Sequence, residues 1–296
     1  MERGKGVRLE GDQGVRFLHP LNSRAAIMHT SPSPHIIAVD WSGAIQGVRQ
    51  KLWLAEIRDS ALTRLECGRD REELTEHLIE LKRSNPHFVV GLDFAFSLPQ
   101  WFLEINGLTS VSQLWSLARA RVEDWLRDCP PPFWGRNHTK KPPGDKHFRW
   151  TENTVNAIGG VRPKSVFQVF GAGSVGTGSL RGLPHLKRLQ EEGFSIWPFD
   201  EPGWPLVMEI YPRLLTGPVK KSDSREREAY LKGLDAPIPS ELAERAIRSE
   251  DAFDAAISAM AIANEWYTLT KLTRTRDPVL QLEGLIWYPG CELVLR

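Results

Sequence analysis

The sequence lacks the features that would assign it to several specialised classes of protein. Its three cysteines are far apart and have no C-x-x-C spacing, so we expect reduced thiols and no zinc ribbon or redox motif. No run approaches the roughly 18 apolar residues of a membrane span, and the N-terminus has no continuous apolar stretch of the secretory type. Lys and Arg number 38 against 37 Asp and Glu, so the whole chain has no preference for polyanions. We expect a cytoplasmic protein, not bound to a membrane, in which any nucleic-acid surface is local.

Length and composition predict one globular domain preceded by an extension. Hydrophobic residues make up 41% of the 296 residues, enough to build a sizeable core. Residues 1–34 contain Gly, Arg and a Ser-Pro-Ser-Pro run without periodicity, so we expect a weakly ordered extension. The domain spans 35–296 and carries an insertion at about 97–165.

Hydrophobic periodicity predicts an α/β domain with one sheet and helices packed on it. Strands are expected at 35–40, 51–58, 61–67, 87–96, 165–170, 194–199, 206–211 and, at the edge of the sheet, 282–289. Helices are expected at 70–83, 110–127, from the glycine-rich turn to about 192, 222–233, 239–248 and 250–266. A helix between two buried strands favours a parallel relationship between 87–93 and a strand already in the sheet.

Two of the buried strands end in aspartate. Asp40 closes HIIAVD, and Asp93 closes FVVGLD. If the two strands are adjacent and parallel, both carboxylates lie at the carboxyl edge of the sheet, where α/β folds commonly build their sites. Taken alone, each aspartate is also the kind of residue that begins a turn or caps a helix.

Three further acids interrupt apolar segments. Glu209 lies inside LVMEIY and needs a cation, unless the strand is an edge with Glu209 in water or a salt bridge to a buried Arg neutralises it. Asp251 and Asp254 are three residues apart and share one face of the alanine-rich helix 250–266. Asp251 also suits the first turn of a helix, whereas Asp254 lies among apolar neighbours and calls for a cation or a solvated cleft.

Carboxylates without His or Cys partners predict a hard, oxygen-preferring metal. One or two Mg²⁺ or Mn²⁺ ions suit such ligands better than zinc does. Two ions a few Å apart activate water and stabilise the leaving oxygen in phosphodiester cleavage. The predicted metal ligands are Asp40, Asp93, Asp251 and Asp254, and the predicted catalytic residues are these four with Glu209.

Basic and glycine-rich segments are candidates for binding the phosphates of a substrate. The loop 136–149 (RNHTKKPPGDKHFR) is the most basic window, and it is either a solvated loop or a phosphate-contacting one. The GAGSVG segment at 171–176 either binds an anion through backbone amides or is a tight connection. The candidate phosphate-binding residues are Lys140, Lys141, Lys146, Arg149, Lys164, Gly173, Ser174 and Arg181.

The GAGSVG segment also supports a rival function. It follows a predicted strand and precedes a helix, as in the fingerprint of NAD(P)- or FAD-dependent oxidoreductases. Gly178, Gly182 and Pro184 argue against this function, because they fall where the dinucleotide-binding helix should be continuous. A nucleic-acid-binding module without catalytic activity and an ATPase of the sugar-kinase or actin-like type remain as further alternatives.

The order of these motifs resembles the ribonuclease H-like superfamily in its RuvC-type arrangement. The matching segments, which are also similar to an uncharacterised family of predicted nucleases called domain of unknown function family 429, are VDWSG (39–43), GLDFAFSLP (91–99), SVFQVFGAGSVGTGSLRGLP (165–184), EIYPRL (209–214) and EDAFDAAISAMA (250–261). The resemblance covers about residues 35–289. It implies a mixed sheet flanked by helices, a divalent-metal site at Asp40, Asp93 and Asp251/Asp254, and nuclease activity on DNA or RNA.

Overall fold

The described part of the chain forms an α/β structure around one mixed sheet. The structure is a computed structural model that describes residues 35–136, 138–158, 160–171, 173–236 and 238–291. The extension predicted at 1–34 lies outside the described residues. The α/β class and the sheet flanked by helices are confirmed.

The sheet has six strands within the described residues, in the order β3-β2-β1-β4-β6-β5. The strands are β1 (Ile36–Asp40), β2 (Trp53–Arg58), β3 (Ala61–Glu66), β4 (Val89–Leu92), β5 (Ser195–Trp197) and β6 (Leu206–Glu209). The first three form an antiparallel meander, and β1, β4, β6 and β5 run parallel to one another. The predicted parallel relationship between β4 and an earlier strand is confirmed by its pairing with β1.

The helices cover both faces of the sheet. They are α1 (Val48–Lys51), α2 (Arg71–Ser84), α3 (Gln100–Ile105), α4 (Val111–Asp128), α5 (Trp150–Thr154), α6 (Gly176–Glu191), α7 (Pro212–Thr216), α8 (Ser224–Lys232), α9 (Ser240–Arg248), α10 (Glu250–Asn264), α11 (Trp266–Leu269) and α12 (Pro278–Glu283). Polar side chains stabilise several helix starts by accepting hydrogen bonds from free N–H groups. Asp70 and Glu73 form a capping box at α2, and Ser110 accepts from the Gln113 N–H at α4.

Alternation along the strands divides the core into two layers. Ile37 and Val39 face the layer that contains α2, α4 and α6, whereas Ile36 and Ala38 face the layer that contains α10. Helix α10 lies close against β4 because the strand has Gly91 at the contact, where a Cβ atom would lie 2.7 Å from the Ile262 Cδ1 atom. Helix α10 therefore packs directly on the centre of this face of the sheet.

Two strands predicted from apolar runs are wrong. Residues 165–170 contribute an isolated bridge between Gln168 and Trp134, and in 282–289 the end of α12 is followed by a single bridged residue, Trp287. Most of the apolar side chains of both segments are buried. Their hydrophobic pattern reported burial, and a loop that packs its side chains into the core gives the same pattern as a strand.

Candidate functional site

Asp40 and Asp93 lie next to each other at the carboxyl edge of the parallel strands. Val39 of β1 is paired with Leu92 of β4, and the Asp93 N–H donates to the Val39 carbonyl oxygen at 3.1 Å. The residues that follow this pair, Asp40 and Asp93, are both partly exposed at the end of the sheet. The predicted juxtaposition of the two strand ends is confirmed, since it follows from register and direction alone.

Helix α10 brings Asp254 to the same place. Side chains two residues apart in a strand point to the same face of the sheet. Asp40 therefore points to the face of Ala38, which packs on α10, and Asp93 to the face of Gly91, which touches Ile262 of that helix. Asp254 is 6% exposed, and its charge acts on both Asp40 and Asp93. Three carboxyl groups from β1, β4 and α10 therefore share one electrostatic environment.

The three carboxyl groups have raised pKa values because they are buried and near one another. Burial is the main cause for Asp40, with further increases from Asp93 and Asp254, and its pKa lies well above the ordinary value. Burial and the charge of Asp254 raise the pKa of Asp93 to about 8. Burial raises the pKa of Asp254 to about 6, against the opposing charge of Lys221. Ionising the whole cluster therefore requires added positive charge.

Asp251 lies on the same side of α10 but nearer to solvent. It is partly exposed, and burial followed by the charge of Glu250 raises its pKa. The N-cap of the helix is Ser249, whose hydroxyl accepts from the Ala252 N–H at 3.2 Å. Asp251 thus has the helix-start position that suits a carboxylate, together with a place at the rim of the cluster.

Lys221 is a member of the site that the sequence reasoning missed. Its ammonium group donates a hydrogen bond to Asp254 Oδ2, and its side chain is 11% exposed. The residue lies in the irregular segment between α7 and α8, where no periodicity indicates which side chains point inward. The other oxygen of Asp254, Oδ1, is buried and has no hydrogen-bond partner within the described residues.

Glu209 points to the opposite face of the sheet and is held in a salt bridge, and its catalytic role stays a prediction. It lies two residues after Val207 in β6 and points to the same face, toward the layer of α2, α4 and α6 and away from α10. Its carboxylate accepts from Arg149 at 2.8 Å and 2.5 Å and from the Phe96 N–H at 2.8 Å. The salt bridge to a buried arginine, one of the two alternatives at this position, is the arrangement found.

Arg149 was predicted to bind phosphate, and in the structure its side chain is engaged by carboxylates, so that role stays a prediction. Its side chain is fully buried and donates to the carboxylates of Glu152 and Glu209 and to the Glu283 carbonyl oxygen. Burial opposes its charge, but the two carboxylates outweigh that effect and raise the pKa of Arg149 above its ordinary value. The guanidinium group thus stabilises the fold by spending its hydrogen bonds on these acceptors, at the wall of the cleft that Asp93 also lines.

A cleft of about 760 Å³ opens beside Asp93. Among the predicted phosphate-binding residues, four line it: Arg149, Lys164, Ser174 and Arg181. Lys164 is exposed, whereas Arg181 is 9% exposed and donates to both carboxylate oxygens of Glu123 at 2.7 and 2.8 Å. The cleft therefore has a free cation in Lys164 and a structural one in Arg181.

The cleft also contains basic residues outside the predicted set. Lys51 and Arg136 line it, and the Arg136 guanidinium lies 5.2 Å from the ring centre of Phe170, which is 53% exposed. The remaining predicted phosphate-binding residues are exposed, and among the described residues they are not part of this lining: Lys140, Lys141, Lys146 and Gly173. Three separate segments of the chain thus contribute cations to the lining of the cleft.

Two glycines of α6 have a packing role that the sequence reasoning misjudged. A Cβ atom on Gly43 would lie 2.4 Å from the Gly178 nitrogen, and one on Gly182 would lie 2.4 Å from the Phe94 ring. Gly182 therefore lets α6 approach the segment that follows Asp93, and Gly43 lets the segment that follows Asp40 approach α6 at Gly178. The helix is continuous through both glycines and Pro184, so the expected interruption is wrong.

The segment before the glycine-rich turn lacks the strand that a dinucleotide-binding loop needs. The fingerprint requires a strand that leads directly into the glycine-rich turn. Residues 165–170 are not a strand of the sheet, and the Gly176 N–H instead donates to the Gln168 carbonyl oxygen at 2.9 Å. A Cβ atom on Gly176 would lie 2.2 Å from the Val166 carbonyl oxygen, which accounts for this glycine by close packing.

The donor atoms of the cluster fit a hard divalent cation by their chemistry. Asp40, Asp93 and Asp254 offer carboxylate oxygens, the ligands that Mg²⁺ and Mn²⁺ prefer. Asp254 Oδ1 is a buried acceptor, and leaving it without a hydrogen bond or a cation costs free energy. Among the residues that the structure describes, no group of three or more His, Cys, Asp or Glu side chains is arranged to hold a metal ion. In the present arrangement the cation in contact with Asp254 is Lys221.

No helix in the described part of the chain has both the length and the apolar character needed to cross a membrane. Comparison of the chain with protein-family models, with curated proteins and with solved structures finds no significant match. What the protein does must therefore follow from the chemistry of its own residues.

Proposed function

We propose that the protein is a divalent-metal-dependent nuclease that hydrolyses phosphodiester bonds of DNA or RNA. The observation that carries the proposal is the meeting of Asp40, Asp93 and Asp254 at one sheet edge. Buried carboxylates that repel one another lower the stability of a fold, and a site that binds cations is a physical reason to retain them. The proposal includes Mg²⁺ or Mn²⁺ as the cofactor.

The proposal extends to the type of fold, a ribonuclease H-like sheet. An antiparallel meander followed by parallel strands, in the order β3-β2-β1-β4-β6-β5, supports this inference. The motifs that resemble family 429 also support it, because VDWSG contains Asp40, GLDFAFSLP contains Asp93 and EDAFDAAISAMA contains Asp254. Motifs distant in sequence are thus adjacent in space at the proposed site.

Each carboxylate has a defined part in the proposed chemistry. Asp40 and Asp93 would hold the ion from the sheet and Asp254 would hold it from α10, where Oδ1 is the oxygen that Lys221 does not contact. Asp251 contributes from the rim. When bound, Mg²⁺ or Mn²⁺ activates water and stabilises the leaving oxygen of the phosphodiester. The Glu209–Arg149 pair acts on the other face, where the Phe96 hydrogen bond fixes the segment that follows Asp93.

The neighbouring cleft supplies a surface for the substrate. Its lining includes Asp93 together with Lys51, Arg136 and Lys164, so phosphate groups that enter the cleft meet positive charge beside the proposed site. The exposed Phe170 ring provides a face on which a base can stack. This local positive surface suits a chain whose total charge is only +1.

A cleavage assay with matched variants tests the proposal. Labelled single-stranded and structured DNA and RNA are incubated with Mg²⁺, Mn²⁺ or EDTA, using the wild type, Asp40→Asn, Asp254→Asn and the exposed control Asp235→Asn. We expect metal-dependent cleavage that both site variants lower by about 10²-fold or more, with circular dichroism unchanged. Full activity of both site variants, or activity that persists in EDTA, contradicts the proposal.

Binding of nucleic acid without cleavage is the second candidate function, and one observation favours it. Lys221 already neutralises part of the carboxylate cluster, as a lysine would at a site that had lost its metal. In that case the protein binds oligonucleotides equally well in EDTA and in Mn²⁺, and no substrate of the panel is cleaved. The same assay therefore separates the two functions.

A further inference from the structure

Lys221 is unusual because most of its side chain is buried. Its side chain is 11% exposed and its ammonium group contacts Asp254 Oδ2, whereas Lys232, in the same part of the chain, pairs with Glu228 at 74% exposure. Lysine side chains ordinarily keep the ammonium group in water, because burying it costs desolvation. The carboxylate cluster offsets that cost for Lys221.

The segment that carries Lys221 is fixed by two arginines. Arg227 is buried, donates to the Lys221 carbonyl oxygen, and is itself held by the Ile247 carbonyl oxygen at 2.5 and 3.1 Å. Arg213 donates to the carbonyl oxygen of Val219 at 2.7 Å and to a second carbonyl of the same turn at 3.0 Å. The direction of Lys221 toward the cluster is therefore built into the fold.

The contact occupies one of the two carboxylate oxygens of Asp254. Oδ2 accepts from Lys221, and Oδ1 has no hydrogen-bond partner in the described part of the chain. Two divalent ions would balance the four negative charges of Asp40, Asp93, Asp251 and Asp254 when all are ionised. One divalent ion and Lys221 together supply three positive charges. A second divalent ion in the same cluster would be repelled by the Lys221 ammonium group at close range.

We propose that Lys221 takes the place of a second metal ion in this cluster, so that the site binds a single divalent cation. The inference rests on the proposed function for the identity of the ligand, and it assigns a charge-stabilising role to a residue outside the motifs. Lys221 and the one ion share Asp254, each through its own oxygen. A bound phosphate group then faces one metal ion and one ammonium group.

The stoichiometry of Mn²⁺ binding tests this inference without any substrate. Isothermal titration calorimetry and electron paramagnetic resonance are applied to the wild type, to Lys221→Met, which keeps the length of the side chain without its charge, and to Lys232→Met as the control. We expect one bound Mn²⁺ in the wild type and in the control. We expect two in Lys221→Met, with the spectral broadening of two ions a few Å apart. Lys221→Arg keeps a cation and should again bind one ion.

The outcomes separate this inference from the proposed function. Two Mn²⁺ ions bound to the wild type, or no ion bound to it, overturns the single-ion site whatever Lys221→Met does. If Lys221→Met does not fold, as shown by its thermal unfolding, the wild type and Lys221→Arg still decide the stoichiometry. One bound ion without cleavage of any substrate supports the single-ion site and contradicts the nuclease function. Two bound ions with metal-dependent cleavage contradict the single-ion site and support the nuclease function.

Discussion

Asp40 and Asp93 are held side by side by the register of two parallel strands. The residues before them, Val39 and Leu92, are paired, and a hydrogen bond of 3.1 Å joins the Asp93 N–H to the Val39 carbonyl oxygen. The backbone of neither aspartate can move away without breaking the end of this ladder. Repulsion between the two, together with that of Asp254, is thus a fixed cost of the fold in the absence of a sufficient cation.

That cost predicts an unusual dependence of stability on pH. Burial raises the pKa of Asp93 to about 8 from an ordinary value of 3.8, so the folded state binds a proton that the unfolded state has released. The contribution of Asp93 to the free energy of unfolding is most favourable below pH 3.8 and declines as the pH rises to about 8. Asp93→Asn removes the titrating group and should raise the free energy of unfolding at pH 8 by at least about 1 kcal/mol, with little effect near pH 4.

Urea unfolding in EDTA at the two pH values measures the effect, with Asp235→Asn as an exposed control that should change neither value. Asp93→Asn that destabilises the protein equally at both pH values would show that the carboxylate is not under electrostatic stress.

The buried Arg149–Glu209 pair predicts a loss of stability and not a specific loss of catalysis. Arg149→Met leaves two carboxylates, Glu152 and Glu209, buried without their cation, which should cost about 3–5 kcal/mol. Arg248→Met, at an exposed ion pair with Glu244, should cost about 0.5 kcal/mol or less. Chemical denaturation gives both values. Unchanged stability of Arg149→Met with weaker substrate binding would return Arg149 to the phosphate-binding group.

The cleft predicts which lysine contacts a phosphate. Lys164 lines the cleft beside Asp93, and Lys140 is exposed outside it. Lys164→Ala should reduce the slope of log binding constant against log salt concentration by about 1, because one fewer counterion is released, and Lys140→Ala should leave it unchanged. Fluorescence anisotropy with a labelled oligonucleotide in EDTA gives the slopes. Equal slopes in the two variants would place the substrate elsewhere.

The positions of the aspartates could be predicted because each depends on a regular element. A buried strand that ends in aspartate fixes that residue at the sheet edge, and a spacing of three residues fixes Asp251 and Asp254 on one side of α10. These relationships follow from periodicity and direction alone. The juxtaposition of Asp40 and Asp93 therefore followed from the sequence, whereas the arrival of Asp254 beside them depends on the packing of α10 on the sheet.

Other parts of the site depend on tertiary contacts that no local pattern encodes. Glu209 is paired with Arg149, sixty positions earlier in a segment without periodicity, so its strand gave no indication of which neutralising partner was present. Lys221 lies in an irregular turn whose direction is set by Arg227 and Arg213. Side chains in such segments are placed by long-range hydrogen bonds, and sequence patterns describe only short-range order.

Diffraction from crystals soaked in Mn²⁺ tests the central claim most directly, because anomalous scattering locates the ion independently of activity. The account predicts one manganese peak among Asp40, Asp93 and Asp254, at roughly 2.1 Å from Asp254 Oδ1, with Lys221 still on Oδ2. Crystals of Asp254→Asn should lose the peak. Manganese bound elsewhere on the molecule, with none among these three carboxylates, would contradict the account.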